Sequence, residues 1–262
     1  MAQNHNAVRG GSKTVGECEE PPKENAPRAE AQGQPHSGIF TTLKDPLVLL
    51  RQLSIHLYSL WVSKTYPFSA VGSNLTIHYR SDLSKSHAHR IKLGRSVFLD
   101  KDSQLRVQVP LEEEGDPVLI VEDGSVVGPR SVLSAKNGIH IERDVVLEAA
   151  VLIQDHSHEY RNVGQTIRQQ GVTEGGKIRI GQGSWVGQGV VIHCDQGELT
   201  LGPNCVVAPN SLVNRSFPAY SLVAGNPAHV VKQFDIEKGV WVLGSSRPTA
   251  PALVLQPAGR ES

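Results

Sequence analysis

Two histidines, His156 and His158, share one short polar run, Asp155-His156-Ser157-His158-Glu159-Tyr160, and a third, His193, follows some way along the chain. An imidazole with carboxylates beside it suits general-base chemistry. Its unperturbed pKa of about 6.5 leaves much of it neutral at pH 7. A hydroxyl is too weak a nucleophile at that pH unless a base removes its proton as the new bond forms. His158 is the expected base, and its orienting group stays open among Asp155, Glu159 and a backbone carbonyl. His156 and Asp155 are expected to contact substrate or support the loop, and His193 is expected to contact substrate or sit in a turn. Taken alone, His158 would be a solvated loop residue; its surroundings give it a function.

Those surroundings are a six-residue aliphatic period. Leu93, Leu99 and Leu105 are six apart, as are Val121, Val127 and Leu133, and Ile141, Leu147 and Ile153. The period resumes at Ile180, Val186 and Ile192, and again at Leu201, Val207 and Val213. Gly94, Gly128, Gly181, Gly187 and Gly202 each follow such an anchor. A hexapeptide period is the mark of a parallel β-helix, with one short strand and one turn per hexad and three hexads per coil. About five coils at strand spacing give a column of roughly 24 Å. The period breaks between triplets, so every insertion leaves from the same corner, and the longest carries His156 and His158.

The flanks read differently. Residues 1–40 are polar and Pro/Gly-rich with few aliphatics, a disordered tail by composition. Residues 41–66 form an expected helix, with Asp45 and Pro46 as N-cap and N1 and Leu43, Leu47, Leu50, Leu57 and Trp61 at helical spacing. That helix packs on the main domain or across a subunit contact; the sharper reading is peripheral membrane contact through residues 41–63. The β-helix spans 67–232. An extension at 233–244 adds a strand or helix around Trp241, and 245–262 is a loose tail. The helix and the segment after residue 218 are candidate caps for the column's ends. Lysine plus arginine total 26 and aspartate plus glutamate total 26, a balance that argues against a nucleic-acid partner. Cys18, Cys194 and Cys205 form no CxxC pair, which fits reduced thiols and a cytoplasmic setting.

Four blocks, DHSHEY at 155–160, QGVT at 170–173, IRIGQGSWVGQGVVI at 178–192 and NPAHVVK at 226–232, resemble the hexapeptide-repeat acyltransferases, which include sugar and polysaccharide O-acetyltransferases. The resemblance covers roughly residues 90–235. It implies a left-handed parallel β-helix, a handedness that composition does not reveal. It also implies transfer of an acetyl group from acetyl-CoA to a saccharide hydroxyl, no metal, and a homotrimer with each site between neighbouring columns. Under it His158 is the base and Trp185 borders the acyl-donor groove, while Gln188, Pro209, Asn214, Arg215 and Lys232 line the donor's path. The chain departs from the pattern at Ala208-Pro209-Asn210-Ser211, where relatives read Gly-Ala-Gly-Ser, and at Asn214-Arg215, where they often read Thr-Lys. Pro209 removes any backbone donor at its position.

Two other classes compete. A zinc enzyme resembling the gamma-class carbonic anhydrases would recruit His156, His158 and His193, although their spacing differs from that family's. A non-catalytic solenoid would bind partners along a flat face and release no thiol from acetyl-CoA.

Overall fold

A computed structural model describes residues 45–113 and 115–244, all within one compact unit. Both expected tails, and Leu43 at the start of the expected helix, lie outside the described residues.

The chain enters through helix α1, Pro46–Thr65. Asp45 accepts the Leu47 N–H at 2.9 Å and Pro46 occupies the first turn, as the Asp-Pro pair predicts. The buried face is not the leucine stripe. Ser59 and Val62 are buried, while Leu47, Leu50, Leu57 and Trp61 are 73, 59, 55 and 52% exposed. The reason lies in Ser59, whose hydroxyl accepts the Ile77 N–H at 2.8 Å and donates to the Ile55 carbonyl at 2.7 Å. It pairs an edge backbone group that has no further coil to pair with.

Six circuits of three strands follow. The first is β1 Ala70–Val71, β2 Thr76–Ile77 and β3 Asp82–Leu83; the second is β4 Ile91–Leu93, β5 Phe98–Leu99 and β6 Gln104–Val107. The third is β7 Leu119–Val121, β8 Val126–Val127 and β9 Val132–Ala135; the fourth is β10 Ile139–Ile141, β11 Val146–Leu147 and β12 Leu152–Gln154. After a short helix α2, Ile167–Gln170, the fifth is β13 Lys177–Ile180, β14 Trp185–Val186 and β15 Val191–His193. The sixth is β16 Glu198–Leu201, β17 Val206–Val207 and β18 Leu212–Val213. Every third strand pairs in parallel, giving three sheets that the chain visits in rotation. The sequence period predicts about five coils; the structure adds an earlier one, anchored by Val71, Ile77 and Leu83, which are again six apart.

Each anchor from Leu93 to Val213 points inward with no more than 1% of its surface exposed. Burying each such side chain contributes about 1.5–3 kcal/mol. The turns are as regular. First-to-second-sheet turns occupy 72–75, 94–97, 122–125, 142–145, 181–184 and 202–205. Second-to-third turns occupy 78–81, 100–103, 128–131, 148–151, 187–190 and 208–211. In every one except 78–81 the third residue has positive φ, filled by Asn, Asp or Gly at most positions and by Ser96, Arg130 and Ala150 at three. The first residue is tightly stacked: a Cβ on Gly181 would lie 2.4 Å from the Pro203 backbone nitrogen of the next circuit. All variation in length falls at the third corner, where the links run 84–90, 108–118, 136–138, 155–176 and 194–197.

The column ends in a partial seventh turn. β19, Ser221–Ala224, joins the second sheet, and the chain then reverses into β20, His229–Asp235, and β21, Val240–Leu243, both antiparallel. The 226–232 block thus leaves the period as expected, and the extension around Trp241 is a strand.

Candidate active site

The third corner gathers the chemistry. β12 delivers Gln154 beside His193 at the end of β15, and Gln154 also registers with Ser134 of β9. Beyond Gln154 the long loop begins, and its first two residues turn inward: Asp155 is fully buried and His156 is 5% exposed.

Asp155 sits over the 136–138 link of the circuit below. Its carboxylate accepts the backbone N–H groups of Lys136 at 2.8 Å, Asn137 at 2.8 Å and Gly138 at 2.7 Å. It also meets His156 Nδ1 at 2.9 Å. Only the ring can donate to a carboxylate already so engaged, so the proton belongs on Nδ1, and in the neutral ring the lone pair is then on Nε2. Nε2 makes no hydrogen bond among the described residues, where no fully buried side-chain nitrogen or oxygen lacks a partner. It therefore keeps access to solvent or to a substrate. Such a pair supplies a base held in one tautomer.

The loop's base is a two-stranded ribbon. Thr173 donates its N–H to the Ser157 carbonyl at 2.8 Å, and Ser157 donates to Thr173 Oγ1 at 3.0 Å. The Lys136 ammonium binds the Thr173 carbonyl and ties this ribbon to the turn that holds Asp155. Outside the ribbon a cavity of about 260 Å³ is bordered by Glu159, Arg161, Gln170, Thr173, Glu174 and Asp195.

His158 is placed differently from the expectation. It is exposed, bridges Val172 through its backbone, and has no side-chain hydrogen bond among the described residues. Neither expected carboxylate orients it. Asp155 is committed to His156, and Glu159 accepts the backbone N–H groups of Tyr160 and Arg161 at 3.0 and 3.1 Å. The Arg161 N–H, then that of Tyr160, holds the Glu159 carboxyl below the ordinary carboxylate range. Cys194 is no rival nucleophile, since burial pushes its thiol up and away from thiolate.

The remaining expected residues lie elsewhere in the chain. Trp185 faces outward on the second sheet, with its indole donating to Glu148 at 3.1 Å. Gln188 and Pro209 are neighbours in stacked second-corner turns, where Asn210 N–H meets the Gln188 carbonyl at 2.9 Å. Asn214 and Arg215 follow β18, and Arg215 binds the Ala228 carbonyl at 3.1 Å and lies over the Phe217 ring. Lys232 is exposed on β20. Within one chain, then, Asp155, His156 and His158 lie on the loop leaving the third corner and His193 at the end of β15 beside Gln154, while Trp185, Gln188 and Pro209 form a separate group on the second sheet and its following corner. Sequence reasoning missed Lys136, Asn137, Gly138 and Thr173. No three His, Cys, Asp or Glu side chains converge as a metal-binding set among the described residues.

Comparison with known proteins points the same way. No protein-family model matches the chain. A probable acetyltransferase of Mycobacterium tuberculosis is 27% identical over 162 residues, covering 62% of this chain and 49% of that protein. A putative lipopolysaccharide biosynthesis O-acetyltransferase of Escherichia coli is 26% identical over 157 residues, covering 58% of this chain and 79% of that protein. The chain thus spans about half the length of the first of these relatives. Among solved structures, an N-acyltransferase of Bacillus cereus in complex with dTDP and 3-hydroxybutyryl-CoA superposes with a TM-score of 0.54 at 16% identity. That match covers 68% of this chain and 86% of the other, a likeness of fold. The relatives and this structural neighbour are acetyl- and acyltransferases, the class the four sequence blocks resemble.

Proposed function

We propose that this chain is a left-handed parallel β-helix enzyme that transfers an acetyl group from acetyl-CoA to a hydroxyl of a saccharide or glycoconjugate precursor. His156 is the general base. The observation that carries this reading is the buried Asp155–His156 pair with Nε2 left free at the corner where the long loop departs. The acceptor hydroxyl gives its proton to Nε2 as its oxygen bonds to the thioester carbon. The tetrahedral intermediate then collapses, the C–S bond breaks, and the imidazolium returns the proton to the departing thiolate. Asp155 holds the imidazolium in place and balances its charge. His158 and His193 border the acceptor.

The donor lies along Trp185, Gln188 and Pro209 on the second sheet and its following corner, and along Asn214, Arg215 and Lys232 in the segments after β18. Because Trp185, Gln188 and Pro209 lie on a different corner from His156, the reading has neighbouring copies share each site, as a homotrimer with sites between columns would. The acyl chemistry is supported by the relatives' names and the saccharide by the name of the E. coli relative. The reading places the enzyme in the cytoplasm, with Cys194 and Cys205 unpaired. Thiol release from acetyl-CoA, screened against sugars and amino sugars, tests it. Release that depends on a hydroxyl acceptor supports the reading, and no release with any acceptor would favour a binding solenoid.

A further inference from the structure

The outer face of α1 has no role in the proposed chemistry. At 100° per residue, Leu47, Leu49, Leu50, Leu53, Leu57, Leu60 and Trp61 fall within one arc of about 160°. All seven are between 40 and 73% exposed. The opposite face, through Ser59 and Val62, is packed on the first circuit. Only Pro46, Ser54, Lys64 and Thr65 interrupt the arc, so it is one continuous apolar strip rather than scattered surface leucines.

We propose that this face seats on an anionic lipid bilayer surface, with the helix lying in the interface at the column's first end. Three observations favour lipid over a second copy of the chain. A paired helix covers a narrow seam of about two positions in seven, whereas this strip is far broader and needs a surface that wraps it. The helix carries Arg51 and Lys64 and no Asp or Glu. Neither basic residue forms an ion pair among the described residues, so both charges are available to negative headgroups. Trp61 and Lys64 sit together in the last turns, the aromatic and snorkelling pair that suits a membrane–water boundary. No described helix is long and apolar enough to cross a membrane, so the contact is one of lying on the surface. The inference stands apart from the acyl-transfer reading, since neither needs the other.

The test is flotation of the full chain with phosphatidylcholine vesicles, with and without phosphatidylglycerol. The chain should float with the anionic vesicles and much less with the neutral ones. Leu50→Glu with Leu57→Glu, both exposed in the structure, should weaken flotation by about a hundredfold or more while thermal unfolding is unchanged. Arg51→Ser with Lys64→Ser should cost about fivefold per charge, which keeps the proposal testable should the first pair disturb the fold. Failure of the wild-type chain to float with anionic vesicles would overturn the proposal. So would unchanged flotation of the leucine variant. Light scattering that shows the leucine variant dissociating an assembly, with no vesicle binding by wild type, would assign the face to a second copy instead.

Discussion

Asp155→Asn changes one atom and should be costly. The native carboxylate faces four donors: three backbone N–H groups from residues 136–138 and the ring N–H of His156. An amide has one acceptor oxygen, which serves two of them, and its NH2 then points at the other two. Each lost hydrogen bond to a charged group is worth about 1.5–3 kcal/mol. Two lost bonds therefore remove roughly 3–6 kcal/mol, a large share of a total near 5–15 kcal/mol. For a domain of this size the melting temperature should fall by about 6–24 °C. Urea titration of wild type and variant, with lower midpoint and unchanged slope, checks the figure. Transfer should also fall, because the imidazole loses its fixed tautomer. A variant within about 1 kcal/mol of wild type would mean that the 136–138 turn does not hold this side chain, and the argument for His156 as base would lose its footing.

Two further substitutions test the scaffold. Gly181→Ala places a methyl 2.4 Å from the Pro203 backbone nitrogen and should destabilise the column by about 1–3 kcal/mol, read as a lower urea midpoint. Ser59→Ala leaves the Ile77 N–H without its acceptor and should cost about 1–3 kcal/mol; hydrogen exchange should show Ile77 losing protection while the anchors of later circuits keep theirs.

The aliphatic period was enough to find the column because burial in a narrow bore tolerates only Val, Ile and Leu at the anchors, and every anchor from Leu93 to Val213 is inside. The first circuit obeys the same rule, down to Gly72 after Val71. It was harder to read because an end circuit has one neighbour only: Val71 is 40% exposed, and α1 rather than a strand covers Ile77. The common corner of the insertions was also legible, from where the period breaks. Which histidine faces inward was not. Two imidazoles two residues apart look equivalent in sequence, and the choice depends on how the chain leaves β12 over the link below. That link acts through backbone N–H groups of Lys136, Asn137 and Gly138, which carry no side-chain signature. The leucines of α1 misled in another way. A helix apolar nearly all round does not declare which face it packs, and the packed face turned on the hydroxyl of Ser59.

The most direct measurement compares two alanine variants under identical conditions: steady-state acetyl transfer by His156→Ala and by His158→Ala, with an acceptor identified by thiol release. Loss of a positioned base should lower kcat for His156→Ala by about 10²–10⁴-fold at unchanged fold. His158→Ala should stay within a few-fold in kcat and move chiefly the acceptor's KM. The reverse ranking, with His156→Ala near wild type and His158→Ala inactive, would contradict the account.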